Sequence, residues 1–184
     1  MGKSTTAGLF AEEGIPVNDA DAVVHALYAG EAVRPIECEF PGSTANGVVD
    51  RAKLVDYLRL NPAKFATLEE IVHPLVRKHE RAFIDEQEAA GADIVLLDIP
   101  LLFETQSEGR VDKIVVVSCD PETQRRRVMQ RPGMTAEKFN LILDRQLPDM
   151  EKRARADFVI DTGLGIDSAR QSVRDILSRL RSKI

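Results

Sequence analysis

Residues Met1 to Asp21, MGKSTTAGLFAEEGIPVNDAD, decide the fold. Gly2-Lys3-Ser4-Thr5 reproduces the end of the phosphate-binding loop G-x-x-x-x-G-K-[ST]. In the complete loop, backbone N–H groups cradle phosphates, the lysine neutralises β/γ charge, and the Ser/Thr hydroxyl ligates Mg²⁺. The tetrapeptide alone is weak, because a solvated terminus or chance gives the same letters. Its surroundings strengthen it: Ser4 to Glu13 reads as a short helix stopped by Gly14, and Ile15 to Val17 as a buried strand running into Asn18-Asp19-Ala20-Asp21. The same start fits M-G-x-x-x-[ST], with Thr6 last, which would permit myristoylation of Gly2, but no polybasic patch adjoins it.

Working outward, three more apolar runs continue the strand pattern: Ile94 to Leu97, Lys113 to Val117 and Phe158 to Ile160. Three of the four runs are rich in β-branched residues without polar alternation, the pattern of parallel strands covered on both faces. Each ends in acidic or small polar residues: Asp98, then Ser118-Cys119-Asp120, then Asp161-Thr162-Gly163. In open α/β sheets, ligands gather at the carboxyl ends of strands.

Helical patterns separate the runs. Ile166, Ala169, Val173, Ile176, Leu177, Leu180 and Ile184 recur at spacings of three and four, giving one apolar stripe that covers a sheet face. Between Arg51 and Ala90 the pattern is helical, with breaks expected at Asn61-Pro62 and His73-Pro74. This stretch is too long for one crossover helix and reads as a helical insertion. Pro121 to Arg155 carries Arg125, Arg126, Arg127, Arg131, Arg145, Lys152, Arg153 and Arg155, with a break at Pro132-Gly133 that suggests two helices joined by a turn. Such a hairpin could close over an anion, or present a solvated basic face. No repeat, low-complexity tract or flexible linker interrupts the chain.

The 184 residues carry 25 basic and 30 acidic side chains, a formal charge of -5, with 43% hydrophobic residues. That balance argues against a basic nucleic-acid-binding face. At this length a domain buries about 70% of its unfolded surface, so no disulfide or metal is needed to hold a core. Cys38 and Cys119 form no C-x-x-C and no Cys/His cluster, which fits a reducing cytosol. The longest apolar stretch, Ile94 to Phe103, is interrupted by Asp98 and is about half a membrane span. A soluble cytoplasmic protein without membrane or nucleic-acid partners is expected, as a monomer or weak homo-oligomer.

Among candidate site residues, Asp19 and Asp21 stand two apart and can face one ligand from an extended segment. One could act as a general base for a hydroxyl, or both could simply start the helix Ala22 to Tyr28. Asp98 ends the most hydrophobic strand, where an acid can hold Mg²⁺ water or accept a proton in phosphoryl transfer, or form a turn. His73, next to Pro74, is as well explained by packing or capping as by catalysis. Phe65, Leu68 and Ile71 read as core.

Taken in order, Gly2-Lys3-Ser4-Thr5, I-P-V-N-D-A-D at Ile15 to Asp21, Asp50-Arg51 with Leu54, Leu68-Glu69 with His73-Pro74, D-I-P-L-L-F-E at Asp98 to Glu104, Gln124 with Arg127 and Arg131, and Arg153 with Ala156-Asp157 together resemble the dephospho-CoA kinase family. The resemblance implies an α/β P-loop kinase of the nucleoside-monophosphate-kinase type. Its parallel-sheet core would span 1–30, 91–121 and 156–184, with a helical substrate-binding region at about 31–90 and a lid at about 122–155. It implies phosphorylation by ATP of the ribose 3′-hydroxyl of dephospho-CoA to give CoA, with Mg²⁺ as cofactor. Lys3 would contact the β/γ phosphates, Gly2, Ser4 and Thr5 would complete the nucleotide site, and Ser4 would help hold the metal. Asp21 is similar to the family's base, Arg131 to a phosphate clamp, and Asp19, His73 and Asp98 would face the acceptor. The competing readings are another small-molecule P-loop kinase, or a non-catalytic nucleotide-binding remnant.

One departure accompanies the resemblance. The family has a central strand and the first half of the phosphate loop before G-K-S-T, and here Met1 occupies that place. The expectation is therefore that Met1 is an internal methionine of a longer chain, and that the strands near Ile94 and Lys113 lack the neighbour that would pair between them.

Overall fold

The computed structural model describes residues 2–182. In chain order its main elements are α1 (Lys3–Glu12), β1 (Val17–Asp19), α2 (Ala20–Leu27), α3 (Val33–Glu39), β2 (Thr44–Ala45), β3 (Val48–Val49), α4 (Arg51–Leu60), α5 (Phe65–Ala89), β4 (Leu96–Asp98), β5 (Val115–Ser118), α6 (Pro121–Met129), α7 (Ala136–Asp144), α8 (Asp149–Arg155), β6 (Phe158–Asp161) and α9 (Ile166–Arg181). Met1, and Ile184 at the end of the expected C-terminal stripe, lie outside the described residues. The chain divides into two compact units, Met1–Ile15 with Ile99–Ile184, and Pro16–Asp98.

In the first unit α1 stops where Gly14 requires. Gly14, at φ 82, donates to the Ala11 carbonyl at 3.0 Å, and the Ile15 N–H reaches back to Phe10 at 3.1 Å. This is a Schellman cap, whose left-handed residue favours glycine. Ile15 is buried in that cap, so the strand expected at Ile15 to Val17 instead covers Val17–Asp19. The buried face of α1, Thr6, Ala7, Leu9 and Phe10, packs on α9, which buries Ala169, Val173, Ile176 and Leu177 at helical spacing. Arg170 and Arg174 fasten the rim to Glu12 at 3.2 Å and Glu13 at 2.7 Å.

β5 and β6 pair in parallel, Val115 opposite Phe158 through Ser118 opposite Asp161. Burial alternates along them: Val116, Ser118 and Ile160 are buried, whereas Val159 is 38% exposed. The expectation of strands covered on both faces is corrected accordingly.

The segment after β5 holds three helices rather than the expected two. Pro132-Gly133 does make the turn between α6 and α7, but Pro148 starts α8 and separates it from α7. The residue before a proline is biased out of helical geometry, so Leu147-Pro148 marks a break after α7, which ends at Asp144. α8 is then tied down at several points. Ser118 Oγ donates to Asp149 Oδ2 at 2.6 Å, Arg155 pairs with Glu108, and Lys152 Nζ lies 2.8 Å from Glu104 Oε1, with side chains only 13% and 14% exposed. Glu104 Oε1 also accepts the Leu147 N–H at 2.8 Å. Burial pushes the Glu104 carboxyl up, but the Lys152 ammonium and backbone N–H groups outweigh it and hold the group below its ordinary value.

In the second unit β1 pairs in parallel with β4, Val17 opposite Leu96 and Asp19 opposite Asp98. The helices bury a core of Leu27, Ala32, Ile36, Phe40, Leu54 and Leu58, with Phe40 edge-on to Tyr57 at 5.5 Å. The hairpin β2–β3 turns through Asn46 (φ 52) and Gly47 (φ 79), as a type I′ turn demands. α4 ends before Pro62 as the sequence suggests, but α5 runs on through Pro74, where a break is expected. The proline forfeits one helical bond, and the apolar face formed by Leu68, Ile71, Val72, Leu75 and Val76, packed on the core, compensates. No helix among the described residues is long and apolar enough to cross a membrane.

Two outcomes test this architecture. Asp50 caps α4, its Oδ1 accepting the N–H groups of Ala52 at 3.0 Å and Lys53 at 3.1 Å. D50A should cost about 1 kcal/mol, a fall of about 2–4 °C in Tm for a chain of this size, and D50S should restore most of it in thermal melts. K152M leaves the Glu104 carboxylate buried without its cation and should cost about 3–5 kcal/mol at neutral pH. In the wild type the depressed carboxyl stabilises the fold above the ordinary carboxylate range, and that contribution is lost as pH falls through the lowered folded value. The Tm gap between wild type and K152M should therefore narrow on acidification, because the stranded carboxyl escapes its penalty by taking a proton.

Candidate functional site

The phosphate-loop residues sit at the start of α1. Gly2 is the N-cap at φ 88, a left-handed conformation that suits glycine, and no side chain caps this end. The first helical bond runs from the Thr6 N–H to the Gly2 carbonyl at 2.9 Å. The N–H groups of Lys3, Ser4 and Thr5 thus have no acceptor within the helix, and the macrodipole adds positive potential there. Lys3 is half-buried, while Ser4 and Thr5 are exposed. The Ser4 hydroxyl takes no hydrogen bond among the described residues.

A cleft of ≈ 280 Å³ opens beside this helix start, lined by Gly2, Thr5, Thr6, Arg127, Thr162 and Gly165 among others. Thr6 Oγ1 is buried there with no hydrogen-bond partner. Arg127 donates to Thr162 twice, to Oγ1 at 3.0 Å and to the carbonyl at 2.9 Å, and Thr162 Oγ1 donates onward to the Ser118 carbonyl at 3.1 Å. The carboxyl ends of β5 and β6 are thereby linked to α6. Arg127 and Thr162 stand 35 residues apart, and only the strand-end position of Thr162 and the Gln124/Arg127 pattern hinted at either. Arg131 lies just past α6, exposed, with no ion pair among the described residues.

The acidic candidates fall in the second unit. Asp19 ends β1 and caps α2, its Oδ1 accepting the N–H groups of Asp21 at 2.9 Å and Ala22 at 3.2 Å. Asp21 is in the first turn of α2, so the two acids do not share an extended segment as the spacing alone suggested. The helix begins at Ala20 rather than Ala22 because Asp19 closes the cap. Asp21 is exposed, and its carboxylate has no partner among the described residues. Asp98 is 6% exposed at the end of β4, opposite Asp19 in the ladder. His73 is exposed on α5. The first unit thus offers an uncapped helix start with a lysine, a hydroxyl and arginines, a set suited to polyphosphate. The second offers an unengaged carboxylate on a capped helix, suited to accepting a proton from a hydroxyl.

Comparison with known proteins gives these features a family. The profile of the CoaE family, dephospho-CoA kinase, matches residues 1–167. A dephospho-CoA kinase of Agrobacterium fabrum is 62% identical over 98% of this chain and 93% of its own, and one of Rhizobium meliloti is 61% identical over 99% and 94%. The crystal structure of TT1252 from Thermus thermophilus superposes with a TM-score of 0.82 at 34% identity, covering 97% of this chain and 92% of that one. The dephospho-CoA kinase from Campylobacter jejuni, at 23% identity and a TM-score of 0.73 over 100% and 94% of the two chains, shares the fold. With its P-loop kinase architecture and this match in sequence, the chain belongs to the dephospho-CoA kinase family.

Proposed function

We propose that this chain transfers the γ-phosphoryl group of ATP to the ribose 3′-hydroxyl of dephospho-CoA, giving CoA and ADP, the last step of coenzyme A synthesis, in the cytoplasm. The match to one family over residues 1–167 carries the reading.

On the donor side, the N–H groups at the start of α1 and the Lys3 ammonium receive the β/γ phosphates, and the neighbouring cleft receives the nucleoside, where Thr6 Oγ1 gains the partner it lacks. The exposed, unengaged Ser4 hydroxyl is a hard oxygen donor and fits Mg²⁺. That ion, when bound, neutralises charge on the β and γ oxygens. Arg131 supplies further positive charge as part of a lid at about 122–155 over a core at 1–30, 91–121 and 156–184.

On the acceptor side, within the helical region at about 31–90 and the strand ends beside it, Asp21 takes the proton of the 3′-hydroxyl. Asp19 holds the first turn of α2 and so fixes the Asp21 backbone, while Asp98 and His73 complete the acceptor face. Positioned positive charge dominates over proton transfer in such chemistry, because the transferring phosphoryl carries its charge on peripheral oxygens.

The purified chain with ATP, Mg²⁺ and dephospho-CoA should form CoA and ADP in equal amounts, and absence of CoA would refute the reading. D21N should lower kcat by about a hundredfold or more with the KM for ATP nearly unchanged, as expected of a base. An unaltered kcat removes Asp21 from that role.

A further inference from the structure

Arg51, the first residue of α4, is held by a histidine and a tyrosine ring. Its Nη2 lies 3.2 Å from His25 Nδ1, and its guanidinium carbon stands 5.4 Å from the Tyr28 ring centroid. Arg59, Lys64, Lys78 and Arg81 of the same unit are each paired with an Asp or Glu, but Arg51 has no carboxylate partner among the described residues. The adjacent Asp50 is committed to its own helix, accepting two backbone N–H groups. Burial raises the Tyr28 phenol above its ordinary value despite the opposing charge of Arg51, so the ring face meets the guanidinium as a neutral surface.

The position of this cation is the informative part. His25 follows Asp21 by four residues on α2, so the two side chains share one face, a single turn of about 5.4 Å apart along the axis. Both are exposed. In a nucleotide, the ribose 3′-oxygen and the 5′-phosphate are separated by a comparable span, the width of the sugar. A guanidinium has five N–H donors, and the His25 contact uses one, so a fork remains for phosphate oxygens.

We propose that Arg51, positioned by His25 and Tyr28, binds the 5′-diphosphate of the acceptor nucleotide and so sets its ribose in register with Asp21. This rests on the dephospho-CoA reading above. His25 acts as a positioning residue: its unprotonated Nδ1 accepts the Arg51 N–H and fixes the fork, without itself touching phosphate.

Steady-state kinetics of R51M, H25A and H25Q, with melting temperatures recorded for each, test the assignment. R51M should raise the KM for dephospho-CoA about tenfold to a hundredfold, the loss of a charge-assisted contact, and lower kcat as the ribose loses its register with Asp21, while the KM for ATP stays close to wild type. H25A should give a smaller rise in the same constant, and H25Q, whose amide oxygen can accept from Arg51, should reverse it. A folded R51M with unchanged KM for dephospho-CoA overturns the inference, as does a rise of equal size in the KM for ATP. If R51M does not fold, the histidine pair decides, and equal behaviour of H25A and H25Q overturns the positioning role. A wild-type chain that forms no CoA overturns the kinase reading and this inference together, whereas normal CoA formation with an unaffected R51M overturns the inference alone.

Discussion

Three residue pairs of parallel ladder, Val17 to Asp19 against Leu96 to Asp98, close the whole excursion of residues 20–95. Closing so long a loop costs entropy, though only logarithmically in its length, and three short rungs could not offset it alone. The helical core between the ladder strands supplies the rest, with Phe40, Ile36 and Ala32 wholly buried. The ladder decides where the acids stand. A one-residue slip would exchange the faces of every side chain, turning Asp98 out of its buried position and separating Asp19 from its place opposite. The acids of the proposed acceptor side therefore take their geometry from a register.

The formal charge of -5 is compatible with a polyphosphate substrate because the binding potential is local. At the start of α1 the proposed site draws on the helix macrodipole and one lysine rather than on an excess of basic residues. Elsewhere some cations serve the fold itself: Arg170 and Arg174 join α9 to the rim of α1, and Lys152 serves Glu104. Position within the fold, rather than number, separates the cations that hold the structure from those that face solvent.

Much of this was legible in the letters, and the parts that were not share a cause. Gly14 announced the end of α1 because a left-handed cap admits few other residues, and the three-and-four spacing of Ala169, Val173, Ile176 and Leu177 announced α9. Asn46-Gly47 carried an equally specific turn signal, but two-residue strands are too short to show alternation around it. Pro74 misled because a helix with a well-packed face tolerates a lost bond, and packing is not written locally. Asp19 and Asp21 look equivalent as letters, and only the cap geometry separates the acid that holds the helix from the acid that remains free. The Arg127–Thr162–Ser118 chain and the Glu104–Lys152 pair join residues tens of positions apart, so no spacing rule could have found them.

The two hydrogen bonds from Arg127 to Thr162 bear on how the cleft would receive a ligand. An exposed arginine samples many rotamers, and freezing a rotamer-rich side chain on association costs about 0.5–1.5 kcal/mol. Here both donated bonds end on one residue that is itself anchored to the Ser118 carbonyl. The guanidinium is ordered when the chain folds, so that entropy is lost once, before any encounter, and a molecule entering the cleft meets a wall that is already set.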